Sequence, residues 1–211
     1  MIPLILRIKK SAHKGIAASQ DEIIESLYSI FNNAVLHGGT SIWRCYKGNR
    51  FSEDIDTYIS RDLDKVEVLF NMFVKKGFRI EKKKITKNSI FSVLSMNRNT
   101  VRFEAIFKNI SGVLKEYETA DGNFITVYTL VPEDLIAEKV EAYLKRLKIR
   151  DLYDVFFLLR YVKNKKTVQP SLNKLINNFK KPIDEKELKI LIIEGLIPTT
   201  EKMIVYIKSW S

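Results

Sequence analysis

Two short stretches decide the fold of this chain, His37-Gly38-Gly39-Thr40 and Ser52-Glu53-Asp54-Ile55-Asp56. If the second stretch is a β-strand, the side chains of Asp54 and Asp56 leave the same face about 7 Å apart. That spacing suits two carboxylates that share one or two divalent metals. The Gly-Gly-Thr turn offers bare backbone N–H groups and a hydroxyl to a phosphate. Together the stretches predict a nucleoside triphosphate site, with metal on a strand and phosphate in a turn.

The local structure predicted around these stretches is more specific than either stretch alone. The glycines open a short helical segment, Ser41–Tyr46, and a strand at Phe51–Ser60 follows. This order is typical of the nucleotidyltransferase β superfamily. HGGTSIWRCYKGNRFSEDIDTYIS resembles the opening motif of the AbiEii/MenT family of nucleotidyltransferase toxins, and EDLIAEKVEAYLKRLKIRDLYDVFFLL resembles the second hallmark of that family. The resemblance covers residues 20–165.

The remaining patterns predict an α+β fold. Apolar spacing indicates helices over 20–33, with Ser19 or Asp21 as the cap, and over Leu63–Lys76. Further strands and helices are expected at Ala34–His37, Phe78–Ile85, Ser89–Met96, Thr100–Lys108, Val113–Glu118, Asn123–Thr129, Pro132–Leu147, Arg150–Val162, Ser171–Phe179, Glu185–Gly195 and Thr199–Trp210. The resemblance implies a nucleotidyltransferase core with a mixed sheet over residues 1–131. It also implies a helical half over residues 132–211 that closes the active-site cleft.

Composition narrows the class of protein and its partners. The chain of 211 residues carries a formal net charge of +11 and has a pI of about 9.6, which favours polyanionic partners such as RNA. Two basic clusters, Lys82–Lys87 and Lys145–Arg150, are candidate contacts, and the alternative is that they are solvated strand edges and helix faces. The single cysteine, Cys45, is expected to pack in the core, and it argues for a reducing, cytoplasmic location. No membrane span and no signal peptide are expected.

Three acidic residues are candidate metal ligands. Nucleotidyl transfer commonly uses two divalent ions, and Mg²⁺ (or Mn²⁺) prefers carboxylate oxygens. Asp54 and Asp56 are the first two expected ligands. Glu104 is the third, because it lies on the polar face of a strand whose other face is Val101, Phe103, Ala105 and Phe107. A solvated carboxylate on an open sheet face is the alternative for Glu104. The resemblance supports the metal role, since the superfamily places its third acid on this strand.

The nucleotide phosphates have their own candidate residues. Gly38, Gly39 and Thr40 form the predicted phosphate turn. Ser52 and Arg50 share the predicted face of Asp54, where Ser52 would touch a phosphate or satisfy a backbone group, and Arg50 would neutralise phosphate charge. His37 could carry a proton, but a strand-end histidine is the favoured interpretation.

The second motif supplies a lysine and two further acids. The resemblance implies that Lys139 binds the triphosphate, whereas the pattern alone would make it a surface lysine. The resemblance also implies that an aspartate after Arg150 is catalytic or positions the lysine. Asp151 is the first choice and Asp154 the second, although Arg150 and Asp154 could simply form an intrahelical pair.

These residues predict a metal-dependent enzyme that uses an NTP as substrate. The resemblance implies the toxin of a type IV-like toxin–antitoxin pair that transfers NMP to RNA, with the tRNA 3′ end as acceptor and an antitoxin protein as partner. One alternative is transfer to a small molecule such as an antibiotic, but a basic chain fits a cationic drug poorly. The other alternative is a non-catalytic RNA-binding module with this fold.

Overall fold

The computed structural model describes residues 2–211. These residues form two compact units. The first unit takes in the chain up to Lys47 together with Phe51–Leu130. The second consists of Gly48–Arg50 and Val131–Ser211. The three residues before Phe51 therefore belong with the helical half of the chain, although they lie between the two stretches that predict the nucleotide site.

The first unit is built on a mixed β-sheet, which confirms the α+β prediction. Within residues 2–211 seven strands form this sheet in the order β3-β4-β5-β2-β1-β7-β6. The strands are β1 (Val35–His37), β2 (Ile55–Ile59), β3 (Arg79–Ile85), β4 (Ser89–Met96), β5 (Asn99–Phe107), β6 (Val113–Glu118) and β7 (Phe124–Thr129). The pairs β2–β5 and β1–β7 are parallel, and the other neighbouring strands are antiparallel. The predicted meander and the predicted hairpin with its Asp121-Gly122 turn are both present.

Strand β2 is shorter than predicted, because it begins at Ile55 rather than at Phe51. Its antiparallel pairing with β1 ends at His37 and Asp56, where β1 gives way to a helix that starts at Gly38. The carbonyls of the preceding residues are bound by side chains instead of by a strand. Gln20 donates to the Ser52 carbonyl at 2.9 Å, and the Thr40 hydroxyl donates to the Asp54 carbonyl. Ser52 and Asp54 therefore precede the strand, and the prediction that both lie on its face is wrong.

Helices of the first unit pack against the sheet. They are α1 (Leu4–Arg7), α2 (Ser11–Ile30), α3 (Gly38–Cys45) and α4 (Leu63–Lys75). Helix α2 starts well before the predicted cap, so Ser19 and Asp21 lie inside it. Asp21 instead accepts hydrogen bonds from Arg44, Tyr117 and the Ala120 amide. Cys45 is buried as predicted, and burial raises the pKa of its thiol to about 12.

The second unit is helical. Its helices are α5 (Pro132–Arg146), α6 (Ile149–Leu158), α7 (Lys165–Asn177), α8 (Leu188–Leu191) and α9 (Thr200–Lys208). Pro132 occupies the first turn of α5, where a missing N–H costs nothing. Helix α7 starts earlier than predicted, because the Asn164 side chain caps it and Pro170 is accommodated inside it. The helix predicted over residues 185–195 is reduced to a 3₁₀ turn and α8. No helix within residues 2–211 has the length and apolarity that crossing a membrane requires.

Candidate active site

The sheet of the first unit aligns two of the predicted metal ligands. Asp56 on β2 is the direct partner of Glu104 on β5, and on its other side it is the partner of His37 on β1. Directly opposed residues of neighbouring strands project from the same face, so His37, Asp56 and Glu104 form a row. Burial raises the pKa of Glu104, the Asp56 and Asp54 carboxylates raise it further, and Arg102 and His37 act in the opposite direction. The three predicted acids are thus close enough to influence one another.

The glycine turn contacts the central carboxylate of this row. Gly38 has φ +70°, a backbone conformation that residues with a side chain rarely adopt. A Cβ atom at this position would overlap Oδ2 of Asp56. Glycine is therefore required on two counts, backbone conformation and space. The contact holds the predicted phosphate turn directly beside a predicted metal ligand.

Asp54 is bound by an arginine, Arg102, for which no motif in the sequence predicted this contact. Arg102 donates from Nε to Oδ1 of Asp54 at 2.8 Å and from Nη2 to the other carboxylate oxygen. Such bidentate pairs are among the strongest side-chain hydrogen bonds. Arg102 lies two residues before Glu104 on β5, so its place on the same face could be read from the strand alternation. Its partner could not, because Asp54 lies outside any strand.

The donor set suits a divalent metal, but it is not assembled around one. Carboxylate oxygens are the ligands that Mg²⁺ prefers, and Asp56 and Glu104 face each other on neighbouring strands. Across residues 2–211, however, no three acidic, histidine or cysteine side chains are gathered closely enough to hold a metal ion as they stand. The Arg102 pair engages both oxygens of Asp54, so a divalent metal would compete with the guanidinium for that carboxylate.

Thr40 and Ser52 have internal partners. Thr40 is completely buried, and its hydroxyl donates to the carbonyl of Asp54. Gln20 donates to the Ser52 carbonyl and lies within 3.4 Å of the Thr40 hydroxyl. These contacts fix the backbone that carries Asp54. A phosphate contact by Thr40 or Ser52 stays a prediction, and for Thr40 it requires exchange of the bond to Asp54. No pattern in the sequence indicated Gln20.

Arg50 belongs to the second unit, whereas Ser52 and Asp54 belong to the first. Its Nε and Nη2 donate to the two carboxylate oxygens of Asp154, each at 2.8 Å. Arg50 also forms an isolated antiparallel bridge with Ile192. The prediction that Arg50 shares the face of Ser52 and Asp54 is therefore wrong, because the chain leaves the first unit over Gly48–Arg50.

Asp154 and Asp151 on α6 hold the predicted lysine between them. Lys139 on α5 lies 2.8 Å from Oδ2 of Asp154 and 3.6 Å from Oδ1 of Asp151. Arg146 completes the chain of charges by donating to both oxygens of Asp151 at 2.6 and 2.7 Å. Lys139 is only 7% exposed, so the surface interpretation is wrong. The same contacts exclude a simple Arg150–Asp154 pair as the role of Asp154.

The electrostatics of this buried cluster favour charged groups. Burial by itself raises the pKa of Asp154, but the neighbouring charges of Arg50 and Lys139 outweigh burial, so the pKa lies below its ordinary value. Three cations, Arg50, Lys139 and Arg146, meet two carboxylates in this cluster. The two aspartates restrain the ammonium of Lys139, which is a positioning role of the kind that the resemblance implies for one of them.

The chain is similar to known nucleotidyltransferases. Its fold matches MenT4, a nucleotidyltransferase toxin from Mycobacterium tuberculosis H37Rv, with 16% identity and a TM-score of 0.65 over 94% of this chain and 82% of that one. JHP933 from Helicobacter pylori matches with 18% identity and a TM-score of 0.63 over 96% of this chain and 91% of that one. Among curated proteins, none matches the sequence. Residues 25–191 match the family described as "Nucleotidyl transferase AbiEii toxin, Type IV TA system". The chain therefore belongs to the AbiEii family of nucleotidyltransferase toxins of type IV toxin–antitoxin systems.

Proposed function

We propose that this enzyme transfers NMP from an NTP to an RNA acceptor, and that the acceptor is the 3′ end of tRNA. The observation that carries the proposal is the position of Asp56, which lies between the Gly38 turn on one side and Glu104 on the other. A glycine turn that could receive a phosphate, beside paired carboxylates that could hold a metal, would position a triphosphate and neutralise its charge for in-line attack on the α-phosphorus.

The proposal assigns Mg²⁺, or Mn²⁺, to Asp54, Asp56 and Glu104. When bound, the metal neutralises charge on the triphosphate and on the departing pyrophosphate. The chain itself supplies the carboxylates, the glycine turn that accommodates a phosphate, and the backbone contact of Thr40 that holds Asp54 in place. Before a metal binds, the Arg102 guanidinium pairs with the Asp54 carboxylate.

The triphosphate role of Lys139 belongs to the same proposal. A buried ammonium that two aspartates restrain is pre-positioned, so little side-chain entropy is lost when it meets an anion. Asp154 is the closer of the two carboxylates to Lys139 and also binds Arg50, whereas Asp151 is bound by Arg146. We therefore assign Asp154 as the main positioning residue and Asp151 as its support, which reverses the order expected from the sequence.

An RNA acceptor is favoured by charge. The net charge of +11 is unsuited to a cationic antibiotic, and several of the basic residues lie on the sheet that carries the carboxylates. The choice of tRNA rests on the family resemblance. As a family toxin, the protein is also expected to have an antitoxin partner, which co-purification after co-expression with a neighbouring gene would identify.

Incubation with labelled NTPs tests the proposal. Each α-labelled NTP is mixed with the protein, Mg²⁺ and total RNA, and the products are separated by size. Label on tRNA that disappears with Asp56→Asn supports the proposal. Label on longer RNA rejects tRNA as the acceptor, and label on a small molecule rejects RNA altogether. Absence of transfer with every NTP would favour the non-catalytic module.

A further inference from the structure

The row of residues that contains the carboxylates continues across the outer strands of the sheet. Glu104 on β5 pairs with Phe91 on β4, and Phe91 pairs with Lys84 on β3. The neighbouring row consists of Arg102, Val93 and Lys82 on the same three strands. With strands about 4.8 Å apart, Phe91 lies about 5 Å and Lys84 about 10 Å from Glu104 across the sheet. We call these two rows the outer face.

The side chains of the outer face are in contact with solvent. Lys82, Lys84 and Arg102 are exposed, and Phe91 and Val93 are partly exposed. The residues that alternate with them are buried: Ile90, Ser92, Leu94, Val101 and Phe103. Antiparallel sheets commonly pack one face and leave the other in contact with water. The aromatic ring of Phe91 and the branched side chain of Val93 therefore lie on the solvent-facing side of the sheet, where they can contact a ligand.

The outer face combines an aromatic ring with cations. Nζ of Lys82 lies 5.2 Å from the centroid of the Phe91 ring. The outer strand also carries Glu81, but Arg79 and Ser95 bind that carboxylate, and Arg79 neutralises it. Positive charge therefore dominates beyond Phe91, whereas the predicted metal ligands lie on its other side. Aromatic rings flanked by lysines suit single-stranded nucleic acid, because bases stack on the ring and phosphates meet the cations.

We propose that the outer face binds the single-stranded 3′ end of the acceptor RNA, with one base stacked on Phe91 and backbone phosphates bound by Lys82 and Lys84. This inference rests on the proposed RNA acceptor. The order of residues along the row gives the strand a direction, since its last nucleotide would lie toward Glu104 and Asp56. A duplex fits poorly, because its bases are already stacked on one another and are not free to cover the ring.

Binding of short RNA without NTP or metal tests the role of the ring. Fluorescence anisotropy is measured with an end-labelled single-stranded RNA and with the same RNA in a blunt duplex. Phe91→Ala should weaken single-strand binding by about 5- to 150-fold, the typical effect of losing one stacked base. Phe91→Tyr should retain it. Phe124→Ala, which removes another exposed phenylalanine on β7 of the same sheet, is the matched control and should have no effect.

Strand β3 offers a second matched comparison, this time for the phosphates. Lys83 lies between Lys82 and Lys84 but reaches the opposite face, where its Nζ is 2.7 Å from Glu67 and 4.3 Å from the Phe70 ring centroid. Lys82→Ala and Lys84→Ala should each reduce the slope of log K against log [salt] by about 0.7. Lys83→Ala should leave the slope unchanged. Thermal unfolding of each variant confirms that the fold is retained.

The outcomes separate this inference from the proposed function. If Phe91→Ala, Lys82→Ala and Lys84→Ala all bind RNA like the wild type and transfer to RNA is normal, the outer face is not the RNA site. The proposed function is then left intact. Weaker NTP binding with normal RNA binding in Phe91→Ala also overturns it, because the ring would then serve the base of the nucleotide. RNA binding that depends on Phe91, Lys82 and Lys84 in a protein that transfers nothing supports the binding surface and rejects the function.

Discussion

At the scale of single residues, Arg102 changes the interpretation of the metal site. It occupies the Asp54 carboxylate with a pair in which Arg102 is 46% and Asp54 19% exposed. An ion pair with this much solvent contact contributes up to about 1 kcal/mol. A divalent ion that binds Asp54 would therefore compete with a weak ion pair.

Removal of this arginine should strengthen metal binding. Arg102→Ala is expected to raise Mn²⁺ affinity by up to about fivefold, because Asp54 no longer has a competing cation. Titration of Mn²⁺ followed by electron paramagnetic resonance measures the change. Arg98→Ala, an exposed arginine in the turn before β5, is the control and should bind Mn²⁺ like the wild type. Equal affinities for all three proteins would contradict the assignment of Asp54 as a ligand.

Gly38 is the second residue whose role is local. Gly38→Ala should cost about 1–2 kcal/mol of unfolding free energy from the left-handed backbone alone, and it should also push the Asp56 carboxylate aside and abolish transfer. Gly77→Ala isolates the backbone effect, because Gly77 has φ +95° and nothing within 4 Å of its added Cβ. Urea unfolding and transfer rates are compared for the two variants. If Gly38→Ala keeps normal turnover, the turn does not need to touch Asp56.

At the scale of elements, α5 and α6 act through the buried charges that they share. Lys139→Ala leaves Asp151 and Asp154 with one cation each, and breaking buried ion pairs costs up to about 3–5 kcal/mol. Lys145→Ala on the exposed side of α5 is the control for general charge. If Lys139 also binds the triphosphate, its loss should slow transfer by a factor of about 30 to 1,000 in a variant that is still folded at the assay temperature. A fully folded Lys139→Ala with wild-type turnover would reject the triphosphate role that the family resemblance implies for Lys139.

The buried charges of the same helices should make the stability of the protein depend on pH. The pKa of Asp154 is lower in the folded protein than in the unfolded chain, so ionised Asp154 stabilises the fold above the unfolded pKa of about 3.9. This contribution is lost as the pH falls through the folded pKa. Asp154→Asn should therefore be less stable than the wild type at neutral pH, and the difference should shrink below about pH 4. Unfolding curves measured from neutral to acidic pH check this, and a difference that does not change with pH would contradict it.

At the scale of the whole molecule, two units contribute residues to one sequence motif. The chain passes from the Gly38 turn to the second unit over Gly48–Arg50 and returns at Phe51. In the second unit, the Ile193 amide donates to the Asn49 carbonyl at 2.8 Å, and Arg50 donates to the Asp154 carboxylate. Asp54 and Asp56, only a few residues later, belong to the first unit, and Asp56 lies on its sheet. The residues of this one motif are therefore divided between the two units.

The toxin activity of the intact protein should depend on the carboxylates and not on its stability. Asp56→Asn is expected to abolish growth arrest on expression, while its melting temperature equals or exceeds that of the wild type because like charges near Glu104 are reduced. Growth curves test the loss of growth arrest, and thermal unfolding tests the melting temperature. Glu53→Gln, which changes a neighbouring exposed acid, should remain toxic. Growth arrest by Asp56→Asn would mean that toxicity does not arise from nucleotide transfer.

The α+β class, the family, most strands and the shared face of Asp56 and Glu104 could be predicted from the amino-acid sequence. These features follow from local periodicity, turn residues and motif spacing, which act over short stretches of chain. Only the tertiary structure shows the partners of Asp54 and Arg50. Both pairs join residues far apart in sequence, since Arg102 lies 48 positions from Asp54 and Arg50 lies 104 positions from Asp154. Ion pairs have no sequence period, because a charge accepts any opposite charge that the fold brings within reach.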